Sequence, residues 1–235
     1  MRAFLSILCL FLVPVSSRAA AAWESVGVEM TVEPQMPALL QAEGLREGTV
    51  VIALDVAADG RLLDALVTMA SHQELIRPCL VAVRQWRFTP ARYEGAPTPA
   101  RAMITLTLSQ TRAVVSRTAS EMMAEWTDRL LGREPDYQVC SAEEMDRPLA
   151  VVHRVSPAYA QDAAEQGVGG RVRVYFFVDE QGRVRLPAVP DATHPYLSAL
   201  ATEAIKEWKF EPPTRRGRPV LVAAVQDFDF GNGMK

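Results

Sequence analysis

The stretch Trp208-Lys209-Phe210-Glu211-Pro212 has a counterpart 122 residues earlier, Trp86-Arg87-Phe88-Thr89-Pro90, in which the tryptophan, phenylalanine and proline keep the same spacing. Extended in both directions without a gap, the comparison gives 19 identical residues over the 71 positions from 38 to 108. Unrelated sequences of ordinary composition agree at roughly one position in fifteen. We therefore infer that this chain of 235 residues contains two copies of one module.

The residues around this stretch predict the elements of each module. In the second copy, a period of two over residues 171–178 indicates a strand, and the turn sequence at 179–182 leads into a second strand over 183–189. Apolar residues at helical spacing over 197–208 predict a helix with Thr193 as its N-cap. In the first copy, Ser71 and Glu74 have the spacing of a capping box at the same position.

A long final strand over 220–230 completes the module and sets the fold class. We predict an α+β protein with two tandem modules, each a three-stranded antiparallel sheet with a helix packed on one face. A helical linker, with its helix at 120–131, joins them. The predicted boundaries are a signal peptide at 1–22, the first module at 35–110, the linker at 111–150 and the second module at 151–231.

The N-terminal residues have the pattern of an export signal. Arg2 precedes an apolar run at 4–15, which is too short to cross a bilayer as a helix, and small residues follow at 19–22. We expect cleavage near Ala22 and a periplasmic location. The alternative is an uncleaved anchor, and only in that case would the protein be attached to a membrane.

Export also bears on the two cysteines of the mature chain, Cys79 and Cys140. An oxidising compartment would allow a disulfide between them. The alternative is that Cys79 is a small core residue and Cys140 a separate thiol.

The composition and motifs argue against several classes of function. The net charge of −3 does not suggest nucleic-acid binding. The three histidines, His72, His153 and His194, lack acids or cysteines at the spacing of a metal site. No catalytic constellation and no phosphate-binding loop is present, so we expect no enzyme activity, no metal and no cofactor.

Taken together, these elements resemble those of a known family. The hairpin at 170–184, the helix beginning near Leu197, the Trp208-to-Pro212 stretch, the turn at Gly217 and the final aromatic strand together resemble the C-terminal domain of TonB-type energy transducers. The resemblance covers residues 155–230, and more loosely 35–110. The chain departs from the family in having no proline-rich stretch and in having Ala160 after Tyr159, where the family has proline.

The resemblance implies a protein partner, such as a TonB-dependent outer-membrane receptor, that adds an extended segment to the last strand of the sheet. The implied binding edge consists of Val220, Leu221, Val222, Ala223, Ala224, Val225, Gln226, Asp227 and Phe228, with Tyr159 nearby. In the first copy the corresponding edge is 99–108. Two alternatives remain: a membrane-anchored energy transducer, and a structural envelope protein that forms a homodimer through its sheet edges.

A second candidate surface is a basic face on the predicted hairpin. Its members alternate along the two strands and would share one side of the sheet. They are Arg171, Arg173, Arg183 and Arg185. Such a face could bind an acidic partner or a glycan. The alternative is a solvated sheet face, or one that the linker helix covers.

Overall fold

The computed structural model describes residues 23–109, 135–159, 168–190 and 194–231, and residues 113–117 through their backbone. The signal peptide predicted at 1–22, the linker helix predicted at 120–131 and the N-cap predicted at Thr193 lie outside the described residues. Within those ranges, no helix has both the length and the apolar character needed to cross a bilayer.

The first copy is a long antiparallel sheet with one main helix and several short strands at its ends. Its elements are β1 (Trp23–Glu24), β2 (Gly27–Met30), α1 (Ala38–Ala42), β3 (Glu47–Val56), β4 (Leu62–Ala70), a 3-10 turn (Gln73–Leu75), α2 (Ile76–Val83), β5 (Arg87–Thr89), β6 (Ala91–Tyr93), β7 (Ala96–Thr98) and β8 (Ala100–Ser109).

The chain between the copies contributes two strands to the sheet of the first copy. They are β9 (Ala113–Arg117) and β10 (Tyr137–Gln138), and a 3-10 turn (Ala142–Glu144) follows β10. The sheet therefore has five strands in the order β10-β4-β3-β8-β9. The three central strands are those that the sequence predicted, whereas the two outer strands come from the linker.

The second copy has the predicted order of strand, strand, helix and strand. Its elements are β11 (Val151–His153), β12 (Gly170–Val178), β13 (Val184–Ala188), α3 (Pro195–Lys206), β14 (Lys209–Phe210), β15 (Thr214–Arg215), β16 (Arg218–Pro219) and β17 (Val222–Phe230). Its main sheet has three antiparallel strands in the order β13-β12-β17. The α+β fold class with two tandem modules is thus confirmed.

Alternation along β12 explains why its sheet packs on α3. Val172, Val174, Phe176 and Val178 are buried on one face of β12, where they meet a stripe of buried residues on α3. The stripe consists of Leu197, Ala201, Ala204 and Ile205. Each large apolar side chain that is fully removed from water stabilises the fold by about 1.5–3 kcal/mol.

The repeated Trp-x-Phe stretch has the same structural role in both copies. The indole Nε1 of Trp86 donates to the Val32 carbonyl at 2.8 Å, and that of Trp208 donates to the Val155 carbonyl at 2.7 Å. The hairpin glycine packs directly on this stretch: a Cβ on Gly182 would lie 2.0 Å from the Phe210 carbonyl oxygen. The tryptophan therefore fixes the incoming chain, and the glycine allows the hairpin turn to approach.

The predicted capping box at Ser71 is not formed. The Ser71 hydroxyl accepts a hydrogen bond from the Thr49 backbone N–H at 3.0 Å and lies 3.0 Å from Nδ1 of His72. Neither the 3-10 turn nor α2 has a side-chain cap at its N-terminus. Ser71 instead joins the end of β4 to β3, because its own N–H also donates to the Thr49 carbonyl at 2.9 Å and so continues the pairing of the two strands.

The two modules pack against each other through a small apolar cluster. Ala53 and Leu66 of the first sheet meet Leu186 and Leu221 of the second module, all of them buried. Partly buried side chains complete the cluster: Met103, Tyr137, Val139 and Phe177. Beside it, the Arg185 guanidinium forms an ion pair with the Asp64 carboxylate.

A local irregularity in β13 points Leu186 toward the first module. The pairing of β12 with β13 shifts register between Tyr175 and Phe177, and Leu186 has a φ of 48°. Regular alternation would place Leu186 on the same face as Val184, which packs on the core beneath α3. The bulge instead places it in the cluster between the modules.

Candidate strand-addition edge

The last strand of the second module has one paired edge and one largely open edge. On the inner side, β17 pairs with β12 without interruption from Gly170 opposite Phe230 to Val178 opposite Val222. On the outer side, Cys140 forms a parallel bridge with Val222, and its N–H donates to the Leu221 carbonyl at 2.7 Å. Among the described residues, no strand pairs with the outer side of 223–230.

The equivalent edge of the first module is occupied. Strand β9 pairs antiparallel with β8, with Ile104 opposite Arg117 and Leu108 opposite Ala113. Half of the first-copy edge predicted at 99–108, the part from 104 to 108, is thus closed by the chain's own linker. This leaves the second module as the one with the longer open edge.

Three residues of the predicted binding edge lie inside contacts of the protein itself. The Val220 N–H donates to the Pro213 carbonyl at 3.0 Å. Leu221 is fully buried between the modules, and Val222 is fully buried and bridged to Cys140. The open part of the edge therefore runs from Ala223 to Phe230.

Tyr159 supports the far end of this edge. Its hydroxyl donates to the Val168 carbonyl, and its ring makes an edge-on contact with Phe230 at 5.3 Å between centroids. The close approach of the chain at this point requires a residue without a side chain, because a Cβ on Gly169 would lie 2.9 Å from the Phe230 carbonyl oxygen. Tyr159 thus fixes the end of β17 and is not a free surface residue.

The outward face beside the open edge has an ionic part and an apolar part. Arg171 lies opposite Asp229 with an N–O distance of 2.7 Å, and Arg173 binds both carboxylate oxygens of Asp227 at 2.7 and 2.8 Å. This hydrogen bonding holds the pKa of Asp227 below its usual range. Exposed Val225 lies opposite exposed Tyr175 and forms the apolar part.

The four arginines of the predicted basic face do not form a free basic surface, because each is paired with an acid. Only Arg171 and Arg173 lie on the outward face of β12, and both are paired with acids of β17. Arg183 binds Asp179 within the hairpin turn, and Arg185 contacts Asp64 of the first module and also Asp179. No free basic surface results, because each guanidinium already has a carboxylate partner and because Arg185 is held against the first module.

Asp179 is the central acceptor of this hairpin. Its buried carboxylate accepts the backbone N–H groups of Gln181 and Arg183 at 3.1 and 2.9 Å, and the Arg183 side chain at 2.8 Å. Burial raises the pKa of Asp179, but the hydrogen bonds from Arg183 and Gln181 together outweigh burial, so its pKa is lowered. The carboxylate is therefore held in its charged form.

Cys79 and Cys140, the two cysteines among the described residues, are free, so the predicted disulfide is not formed. Cys79 is fully buried in the core of the first module, where burial raises the pKa of its thiol to about 12. Cys140 is buried at the start of the β17 edge, and its thiol lies 3.3 Å from the Ser141 carbonyl. The alternative prediction, a core residue and a separate thiol, describes the structure.

Metal ligands are not gathered anywhere in the described part of the chain, where no three side chains of His, Cys, Asp or Glu come close enough to hold an ion.

The geometry around β17 is that of an edge with one short covered end, a rigid support and a mixed outward face.

Comparisons with known proteins agree with this architecture. The model of the family described as "Gram-negative bacterial TonB protein C-terminal" matches residues 32–107 and 155–231. The Protein TonB of Vibrio cholerae serotype O1 (strain ATCC 39315 / El Tor Inaba N16961) is 34% identical over 77 residues, which are 32% of this chain and 32% of that protein. The match thus spans about a third of the relative's length.

Among solved structures, the solution NMR structure of the Pseudomonas aeruginosa TonB CTD is similar at 25% identity. The match covers 41% of this chain and 96% of that one, with a TM-score of 0.34. The two segments that match the family model together make up more than half of the chain. The protein therefore belongs to the family of Gram-negative bacterial TonB C-terminal domains and carries two copies of that domain.

Proposed function

We propose that this protein is a periplasmic, non-enzymatic binding module of the TonB type. It recognises an extended segment of a protein partner, such as a TonB-dependent outer-membrane receptor, by strand addition to β17 and so supports transport across the envelope. The observation that carries the proposal is the open outer side of 223–230, next to a first module whose equivalent edge is covered by β9.

An open edge of this kind offers a partner a set of unsatisfied backbone groups. Along the outer side of an edge strand, alternate residues present an N–H and a C=O that only water satisfies. A segment of six to eight residues that pairs there gains main-chain hydrogen bonds whatever its sequence, and its side chains add specificity. This accounts for recognition without a preformed pocket.

The edge is rigid before a partner arrives, which favours binding. The whole length of β17 is paired with β12 on its inner side. Phe228 packs edge-on against Trp208 at 5.8 Å, and Phe230 packs against Tyr159. Because the strand is already fixed, binding need not order this side of the interface.

The test is an NMR titration of residues 23–235 with peptides that resemble the TonB box, the short extended receptor segment that the family resemblance implies as ligand. Two N-methylated versions of the best peptide are titrated as well. Each version carries methyl groups on alternate residues, so only one of them blocks the donors that would face β17. We expect the unmodified peptide and one methylated version to shift the amide signals of 223–230. The signals of 104–108, behind β9, serve as the internal control.

Equal effects of the two methylated peptides, or shifts confined to other surfaces, would contradict strand addition. Sedimentation at the same protein concentrations provides the second arm. A concentration-dependent dimer whose formation protects the amides of 223–230 would instead indicate pairing between two copies of the chain through this edge.

A further inference from the structure

A row of charged side chains lies beside the apolar cluster between the modules. Asp55 of β3 lies directly opposite Asp64 of β4 and, on its other side, opposite Arg101 of β8. Ala53 and Leu66 stand two residues away on the same strands and belong to the apolar cluster. Because alternate residues of a strand share one face, the charged row lies on the face that the second module contacts.

The second module places two cations against this row. The guanidinium of Arg185 donates to the Asp64 carboxylate, with an Nε–O distance of 2.8 Å. Lys206, at the C-terminal end of α3, is close enough to act on the charge of Asp55, but its ammonium group forms an ion pair with Glu203 at 2.6 Å. Asp64 is thus paired across the contact, whereas Lys206 is engaged within its own helix.

Asp55 and Arg101 are half-buried without hydrogen-bond partners. Among the residues that the structure describes, none donates to the Asp55 carboxylate or accepts from the Arg101 guanidinium, whose Nε atom is buried. Charged groups are costly to bury in this state, and most buried polar groups in proteins have a partner. The two side chains are therefore an exception that the packing of the modules has to tolerate.

The sheet itself does not need these charges, as the second copy shows. The positions 122 residues after Asp55, Asp64 and Arg101 are uncharged: Phe177, Leu186 and Ala223. The charged row is thus a feature of the first copy alone, at the place where it meets the second.

Two effects of this position favour the neutral form of Asp55. The contact with the second module removes water from its carboxyl group, and Asp64 places a like charge on the neighbouring strand. Arg101 of β8 and Lys206 of α3 favour the charged form, and with Asp64 they are the charged groups that face Asp55. Burial is the largest of these influences, so the pKa of Asp55 is raised.

We propose that Asp55 makes the contact between the modules sensitive to pH: the neutral carboxyl group fits the closed contact, and the carboxylate weakens it. Leu221 belongs to the same contact, so the pH also determines how firmly the start of β17 is held. This device operates whether or not β17 binds a partner.

The direction of the effect follows from the raised pKa. A carboxyl group whose pKa is higher in the closed contact stabilises that contact fully below its ordinary value of about 4, and the contribution is lost as the pH rises through the raised value. The ion pair between Arg185 and Asp64 requires a charged carboxylate, so strong acid removes it. The contact is therefore tightest in mild acid and looser at neutral pH.

The first measurement follows the side-chain carboxyl signal of Asp55 by NMR in residues 23–235, from about pH 7 to about pH 3. We expect a titration midpoint above the ordinary value of about 4. The double variant Leu186→Ala and Leu221→Ala weakens the contact without changing a charge, so in it the midpoint should fall toward the ordinary value. A midpoint that is not raised, or that does not move in this variant, would overturn the proposal.

The second measurement compares urea unfolding of the parent, of Asp55→Asn and of a control at about pH 7 and about pH 5. At pH 7 the ratio of folded to unfolded protein should be higher for Asp55→Asn than for the parent. The expected factor is about ten for each unit by which the Asp55 midpoint is raised. On going to pH 5 the parent should gain on this variant.

The matched control is Glu94→Gln, which removes the same charge from an exposed turn of the first module and should follow the parent at both pH values. If Asp55→Asn is no more stable than this control at pH 7, the closed contact does not favour the neutral carboxyl group and the proposal is wrong.

Discussion

At the scale of single residues, the repeat is maintained by a few positions with no substitute. The hairpin glycines combine a left-handed backbone with a close contact: Gly182 has a φ of 76° and lies against the Phe210 carbonyl. The tryptophans Trp86 and Trp208 donate to incoming backbone in both copies. These roles explain why such positions are identical between copies whose surfaces have diverged.

Substitution of Gly182 should be costly for two reasons that can be separated. In Gly182→Ala, the new Cβ would lie 2.0 Å from the Phe210 carbonyl oxygen, and the alanine would also have to adopt a positive φ. We therefore expect a loss of about 3 kcal/mol or more in the free energy of unfolding. Gly217→Ala is the matched control, since Gly217 has a φ of 72° and open space around it. The Gly217→Ala variant should lose about 1 kcal/mol in the free energy of unfolding, measured for both variants by urea denaturation.

The charge state of Asp179 should couple stability to acid. Its folded pKa is lowered, so it contributes stability above its unfolded pKa of about 4, and this contribution is lost as the pH falls through the folded pKa. We expect the side-chain carboxyl signal of Asp179 to titrate below its usual range by NMR. Arg183→Met should move that titration upward, whereas Arg171→Met, which alters a remote exposed pair, should leave it unchanged.

At the scale of elements, the sequence predicted the main strands and the helices because their apolar residues follow simple periods. Over residues 171–178 a period of two is enough to predict a strand, and over 197–208 a helical period is enough to predict a helix. The bulge at Leu186 and the use of Ser71 as a strand-to-strand bridge could not be predicted in this way. Both depend on which module or strand lies next to the residue, and local sequence does not contain that information.

The bulge in β13 should matter for the contact between modules. Leu186→Ala removes a buried side chain from the apolar cluster at that contact, so we expect a loss of about 2–4 kcal/mol in the free energy of unfolding. Leu63→Ala is the matched control, because Leu63 is 56% exposed, and it should change stability by less than about 0.5 kcal/mol. Faster proteolysis of the Leu63 variant than of the Leu186 variant would contradict this assignment.

Strand β9 should determine which edges are open. The double variant Val114→Pro and Val115→Pro removes two adjacent backbone N–H donors. Alternate N–H groups of β9 face β8, so one of the two substitutions must remove a hydrogen bond to β8. We expect the amides of 104–108 to lose protection from hydrogen exchange and the variant to gain a second peptide site. The matched variant Thr107→Ser, which keeps the strand pairing, should retain a single site.

The candidate site was predictable in its location and only partly in its composition. The repeat and the final strand placed it on β17, and Asp227 and Phe228 are among the open residues. Val220, Leu221 and Val222 were not recognised as covered, because Cys140 and the turn before β17 reach them from distant parts of the chain. Strand β9 was overlooked, although the apolar run from Ala113 to Val115 is a signal that could have indicated it.

At the scale of the whole molecule, the linker and the apolar contact between the modules hold the two copies together. The segment around Tyr137 pairs with β4, after which Val139 donates to Thr68 of the first module and Cys140 donates to Leu221 of the second. The Asp146 carboxylate then accepts the N–H groups of Arg216 and Gly217 at 2.7 and 2.8 Å. One short stretch is thus hydrogen-bonded to both modules.

We therefore expect the modules to unfold together. The amide NMR signals of β3 report on the first module and those of β12 on the second. Their intensities should give coincident urea transitions in a two-state process. The double variant Leu186→Ala and Arg185→Met, which weakens the contact on both its apolar and its ionic side, should separate the two transitions. Separate transitions in the parent protein would show that the contact does not couple the modules.

The strand that closes β8 has a consequence for valency. A protein with two copies of a peptide-binding domain would ordinarily be expected to hold two partners and to gain avidity from their linkage. With β9 on the first copy, the proposed docking position on β17 is the longer open edge of the two copies among the described residues. The chain would then form one-to-one complexes and would not cross-link its partners, and the first copy of the domain would act as a scaffold for the docking position on the second.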